Sequence, residues 1–200
     1  MILKRIFEDQ EYGFYIDIGA HHPKRFSNTY FFYKRGWNGI NIDALPNSMI
    51  LFNKFRSRDI NIEQPISNIR ESIIYYHFNE PALNGFSKDL SDERTKDTNY
   101  FIKNKEILNT ERLDTILDKY LPNEQKIDFL SIDVEGYDFN VLRSNSFEKY
   151  EPKVILIEIL EDNLKDIHNN EIYLFLNDKN YMIYAKCVNT VIFMNEKFYN

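Results

Sequence analysis

With one cysteine, Cys187, the chain has no partner for an intrachain disulfide. A disulfide framework is therefore excluded and a reducing compartment is expected. Six glycines and six prolines among 200 residues exclude collagen-like and low-complexity chains. No apolar run approaches the length of a membrane span. The N-terminal Met1-Ile2-Leu3-Lys4-Arg5-Ile6-Phe7 lacks a long apolar stretch and a small-residue cleavage site, so no secretory leader is expected. Basic charge is also short. Twenty-five Lys and Arg stand against 31 Asp and Glu, a net charge of −6, with no Lys/Arg stripe. Such a chain suits a polyanion poorly. These absences lead to a cytoplasmic protein that partners neither nucleic acid nor membrane, with a homo-oligomer left open.

What is present is an ordinary globular composition, 43% hydrophobic, with aromatics at 16%. Short apolar strands alternate with amphipathic helices. Phe14–Ile18 reads as a buried strand ending at Gly19, and Ser27 as the cap of a helix running to Arg35. Gly39–Ile42 is a second strand, closed by Asp43. A helix follows Pro46-Asn47, with Leu51, Phe52 and Phe55 on one face. Ile60, Ile62 and Ile66 suggest a third strand and Ser72–Phe78 a fourth. The polar stretch 80–109 contains no element that the pattern places, and it reads as a lid or insertion. Leu113, Ile116, Leu117 and Tyr120 form a helical stripe. Ile127–Ile132 and Val154–Ile159 are buried strands, and Tyr181–Ala185 with Val191–Phe193 form a terminal hairpin.

Strand–helix alternation predicts an α/β fold, a mostly parallel sheet with helices on both faces, within one domain over 1–200. Ligands of such sheets bind past the carboxyl ends of the strands. The residues to follow are therefore Asp17-Ile18-Gly19-Ala20-His21-His22, Asp43, Glu63-Gln64, Asp133-Val134-Glu135-Gly136 and Glu158.

The first of these loops has one glycine where a dinucleotide site wants G-x-G-x-x-G, and no G-x-x-x-x-G-K-S/T occurs anywhere. A nucleoside ligand without phosphates fits better, and S-adenosylmethionine is such a ligand. Asp17 would face its ammonium, and the amides of the Gly19-Ala20 loop its carboxylate. Asp43 stands 24 residues after Gly19 at a strand end, where a bidentate acid accepts both ribose hydroxyls. Its alternative is to cap the helix that follows. Glu63, at the next strand end, belongs to the same cofactor set.

The chain resembles the FkbM-type methyltransferases. The resemblance rests on Phe14-Tyr15-Ile16-Asp17-Ile18-Gly19-Ala20, on Gly36-Trp37-Asn38-Gly39-Ile40-Asn41-Ile42-Asp43 and on Ile127-Asp128-Phe129-Leu130-Ser131-Ile132-Asp133-Val134-Glu135-Gly136. Val154-Ile155-Leu156-Ile157-Glu158 matches the next strand. The resemblance implies a Rossmann-like class I methyltransferase fold, seven-stranded, with an antiparallel last strand. It also implies methyl transfer to a hydroxyl, often of a sugar or glycan precursor. Pro23 stands where the family often shows a second glycine.

Methyl transfer needs alignment, and a base where the acceptor is a hydroxyl. His21, His22, Asp133, Glu135 and His77 are the candidate bases. His21 or His22 would alternatively bond the loop backbone, and His77 would pack in its strand. Asp133 also belongs to the cofactor set. Glu135 faces the acceptor or caps the next helix. A divalent metal shared by Asp133, Glu135 and Glu158 is conceivable but not expected, and no zinc-type His/Cys spacing exists. Glu158, inside an apolar strand, needs a basic partner or a ligand. A nucleotide-sugar oxidoreductase or epimerase, and a non-catalytic binding module of the same fold, are the rival functions.

Overall fold

The computed structural model describes residues 2–96, 98–161 and 163–199. Helix α1 (Ile2–Ile6) precedes strand β1 (Phe14–Ile18), every residue of which is buried. Chain order continues through α2 (Tyr30–Lys34), β2 (Asn38–Asp43), α3 (Met49–Phe55) and β3 (Ile60–Glu63). An excursion follows: β4 (Ser72–Phe78), a 3-10 turn at Pro81–Leu83, α4 (Lys88–Arg94) and β5 (Ile102–Asn109). The chain then resumes with α5 (Leu113–Tyr120), β6 (Phe129–Ile132), α6 (Asp138–Arg143), β7 (Val154–Glu158), α7 (Leu164–Ile167), α8 (Glu171–Asp178), β8 (Tyr181–Cys187) and β9 (Thr190–Asn195). No helix among the described residues is long and apolar enough to cross a membrane.

Seven strands form one sheet in the order β3-β2-β1-β6-β7-β9-β8. The pairs β3/β2, β2/β1, β1/β6 and β6/β7 are parallel, whereas β9 runs antiparallel to both β7 and β8. The parallel register aligns Ile18 with Ile42 and Ile132, and Asp43 with Glu63, so these strand ends finish along one edge. β1 is central and covered on both faces, which is why its sequence is apolar rather than alternating. Phe14, Ile16 and Ile18 point to one face, against Leu117 of α5, Leu142 of α6 and Leu176 of α8. Tyr15 points to the other face, in an aromatic cluster with Phe7, Phe32, Trp37 and Phe129. There Phe32 and Trp37 have ring centroids 4.7 Å apart, and Phe32 and Phe129 5.0 Å.

The polar stretch 80–109 does hold regular structure, apart from position 97, which lies outside the described residues. β5 pairs antiparallel with β4 in a separate two-stranded sheet, Ile74 opposite Ile107. Such a half-exposed ladder needs few apolar residues, so its sequence looks like loop. In α3 the buried residues are Met49 and Phe52, while Leu51 and Phe55 face outward, so the inward face differs from the expected one. α2 begins at Tyr30 rather than at Ser27, whose Oγ accepts from the Thr29 and Tyr30 amides ahead of it.

A buried polar network crosses the aromatic face. Arg56 is fully buried, and its Nε donates to Asp59 Oδ2 at 2.9 Å. Nη1 donates to Pro23 O at 3.1 Å, and Nη2 to Tyr15 Oη, Thr29 Oγ1 and Asn41 Oδ1. Thr29 Oγ1 donates in turn to Asp17 Oδ2 at 2.8 Å. One side chain thus ties β1, β2 and the loop after β1 together.

Candidate functional site

A cavity of about 260 Å³ opens at the carboxyl ends of β1, β2 and β6 and is walled by the excursion. Gly19, His21, Asp43, Asp133 and Glu135 line it together, so residues up to 116 positions apart in the sequence meet at one place. Gly19 is required there. Its φ is +77°, and a Cβ would lie 1.8 Å from Asp133 O, so the β1 and β6 loops touch backbone to backbone.

Asp43 ends β2 with each oxygen already holding one amide. Oδ2 accepts from His21 N at 2.9 Å and Oδ1 from Leu45 N at 2.8 Å. A carboxylate oxygen has a second lone pair, so Asp43 can still accept from a ligand diol. Burial raises its pKa, and the two amides oppose that rise. Ile18, Leu45, Pro65 and Ile66 supply an apolar lining beside it.

On the other side of the cavity, the Asp133 carboxyl accepts no hydrogen bond from a described residue. It is exposed at the mouth of the cavity, with other carboxylates close around it. Desolvation foremost, then the nearby charges of Glu158, Glu135, Asp138 and Asp17, push its pKa up to about 8. Glu158 rises to about 7 for similar reasons. Among the described residues no basic side chain pairs with Glu158. Its hydrogen-bond partner is Asn189 Nδ2, at 3.5 Å.

Glu135 does not cap α6. The N-cap position, Tyr137, makes no side-chain cap bond; Asp138, the first residue of the helix, instead holds the loop before it, Oδ1 accepting from Val134 N and Oδ2 from Gly136 N. Those two bonds hold the amides of the residues before and after Glu135, which takes a left-handed φ of 56°. Its side chain instead pairs with Arg94 of α4, whose Nη1 also donates to Leu83 O. Gly85 lies so close that a Cβ there would sit 3.1 Å from Glu135 Cβ. Phe86 packs between Tyr75 and Tyr137 with its ring tilted to both, centroids at 4.8 and 5.7 Å. The excursion is therefore docked onto the loop after β6, and Tyr75, Gly85 and Phe86 line the cavity from that side.

The remaining expected residues lie elsewhere. Asp17 is buried away from the cavity and bonded to Thr29, with Ser131 also in hydrogen-bond contact. Ala20 packs on Met49 and Phe52. The amides of Gly19 and Ala20 both donate to Ile42 O, and His22 N to Ala20 O, so this loop turns none of those donors to a ligand carboxylate. Glu63 accepts from Met49 N at the start of α3, and Gln64 lines the cavity in its place. His22 Nδ1 accepts from Lys24 N and Arg25 N, an arrangement that needs a neutral ring, and burial and nearby cations lower its pKa. His77 bonds Glu106 at 3.1 Å in the two-stranded sheet, outside the cavity lining. Among the described residues no group of three or more His, Cys, Asp or Glu is arranged to hold a metal ion.

Arg94 carried no signal in the sequence. Nothing in the spacing of a polar stretch announces an arginine whose partner lies 41 residues further on. A family model, the methyltransferase FkbM domain, matches residues 17–183. No curated protein and no solved structure matches the chain.

Proposed function

Because the chain belongs to the FkbM methyltransferase family, we propose that it is an S-adenosylmethionine-dependent O-methyltransferase. Its substrate, in this reading, is a hydroxyl of a sugar, glycan or polysaccharide precursor. The observation that carries the proposal is the single cavity joining Asp43 at one end to Asp133 and Glu135 at the other. The strand order and the antiparallel β9 are compatible with a Rossmann-like methyltransferase fold.

The residues fit the nucleoside end of such a cofactor: a carboxylate for the ribose diol, apolar walls for a base, and no lysine or arginine among the lining residues for phosphates. At the amino-acid end the fit differs from the expectation. Asp17 and the loop amides are committed elsewhere, so Asp133 and Glu135 are the acids left to face an ammonium. When bound, S-adenosylmethionine supplies an electrophilic methyl group on a positively charged sulfur. Tyr75 and Phe86 offer ring faces to the acceptor, and the excursion covering them excludes water. Asp133 takes the hydroxyl proton on a carboxylate oxygen. A pKa near 8 makes it a competent base close to neutral pH. A cytoplasmic location, with neither nucleic acid nor membrane as partner, belongs to the same reading.

The test is calorimetric titration with S-adenosylhomocysteine, followed by transfer of labelled methyl from S-adenosylmethionine to a panel of sugars and oligosaccharides. Saturable binding with transfer to oxygen is the expected result. The absence of both refutes the reading.

A further inference from the structure

We propose that the acceptor end of this cavity selects by charge: it takes a polyhydroxylated ligand that is neutral or amine-bearing, and it rejects one that carries phosphate. This rests on reading the cavity as the methyl-transfer site, and it narrows the substrate class.

Three independent features support it. First, Asp133 and Glu135 line that end of the cavity, with Glu158 and Asp138 close enough to Asp133 to act on its charge. Second, the guanidinium nearest these acids is already committed. Arg94 is held by Glu135 and by Leu83 O, so an incoming phosphate would have to break that pair to gain it. Arg94 is not itself a lining residue, and among the described residues that line the cavity the basic side chain is His21. Third, the opposite wall is aromatic, with Tyr75 packed at a tilt against Phe86. Ring faces opposite carboxylates suit a sugar, whose C–H faces stack and whose hydroxyls donate.

The protonation of the acids sharpens the selection. A cation entering the cavity is met by ionisation of Asp133 and Glu158, which strengthens its binding. A dianion is met only by their protonation, so the preference for positive charge strengthens as pH rises. A sugar still attached to a nucleoside diphosphate would bring such a charge into the site. The substrate is then supplied by a glycosyl transfer or a dephosphorylation that has already removed the phosphate.

The potential can be read without knowing the acceptor. Ala82 lines the cavity beside Asn84 and Gly85, and the exposed Cys187 is the sole cysteine. In a Cys187→Ser background, Ala82→Cys is labelled with cationic and anionic methanethiosulfonates in the presence of S-adenosylhomocysteine. Rates are normalised to 2-mercaptoethanol. The cationic reagent is expected to react on the order of 10-fold faster or more, and Glu135→Gln is expected to narrow the ratio. Pro81→Cys, also at the cavity, serves as a second reporter. In parallel, a neutral sugar, its amino analogue and its phosphate ester are compared as methyl acceptors. An anionic preference at both reporters, or methylation of the phosphate ester as fast as of the neutral sugar, overturns the proposal. A cationic preference in a protein that binds no S-adenosylhomocysteine upholds the charge selection and overturns instead the assignment of the cavity to methyl transfer.

Discussion

Replacing Arg56 by methionine keeps most of the side-chain volume and deletes the guanidinium at the junction of β1, β2 and the loop after β1. Five donor contacts disappear, to Asp59, Pro23, Tyr15, Thr29 and Asn41. Asp59 keeps the Tyr15 hydroxyl, the Asn41 amide and the Gly39 amide, but no cation. Removing one partner of a buried pair strands the other charge and costs about 3–5 kcal/mol. In a chain of this size each kcal/mol moves Tm by roughly 2–4 °C, so a fall of about 6–20 °C is expected. Scanning calorimetry and urea unfolding measure it. Arg56→Met with Asp59→Asn removes the stranded charge as well, and should be more stable than Arg56→Met alone by about 1 kcal/mol or more. Pro23 O loses its anchor in both variants, so affinity for S-adenosylhomocysteine should fall even where the double variant regains stability. A loss below about 1 kcal/mol in Arg56→Met, or strict additivity in the double variant, would refute the account of this network.

Asp43→Ala should weaken S-adenosylhomocysteine binding by about 1–3 kcal/mol in calorimetry and also lower Tm, because His21 N and Leu45 N lose their acceptor; Asp43→Asn should lose less of both. Asp133→Asn should cut turnover by roughly 10²–10⁴ in a methyl-transfer assay and should also weaken S-adenosylhomocysteine binding, because Asp133 is one of the two acids left to face its ammonium. Asp133 has a pKa raised to about 8, so the folded state holds its proton more tightly than the unfolded chain does. The stability this contributes is complete below the unfolded value near 4 and is lost as pH rises through about 8. Asp133→Asn should therefore flatten the decline of Tm over that window, modestly because the residue is exposed, and an unchanged slope would count against the raised pKa. Gly19→Ala should fold poorly or not at all, since its Cβ would collide with Asp133 O; a melting curve matching wild type would contradict the contact.

The sheet was largely legible because its strands are short, apolar and punctuated. β1, β2, β6 and β7 each stand within two residues of where their apolar runs place them. The site was legible where it depends on strand ends, as at Gly19, Asp43, Asp133 and Glu135. It was not legible where a choice between two faces of the sheet decides. Asp17 alternates away from the cavity, although it shares a motif with Gly19. Nor did the sequence reveal groups that meet only through tertiary structure, such as Arg94 with Glu135 or Arg56 with Pro23. Long-range pairs of this kind leave no period behind.

The excursion between β3 and α5 leaves the sheet and returns to it at one point. Ile66 bridges Glu111, Ser67 N donates to Glu111 O, and Glu111 N donates to Pro65 O. Those bonds close the base of the excursion whatever lies beyond it, as a stem closes a hairpin. Residues within it can be added, removed or exchanged without shifting the register of a single strand in the main sheet, at an entropic cost that grows only with the logarithm of length. The wall facing the acceptor is thus an exchangeable cassette, while Gly19 and Asp43 stay with the frame. Grafting the cassette of another member between Ile66 and Glu111 should transplant acceptor preference and leave cofactor affinity behind, which makes this stem the natural cut site for redesigning the enzyme.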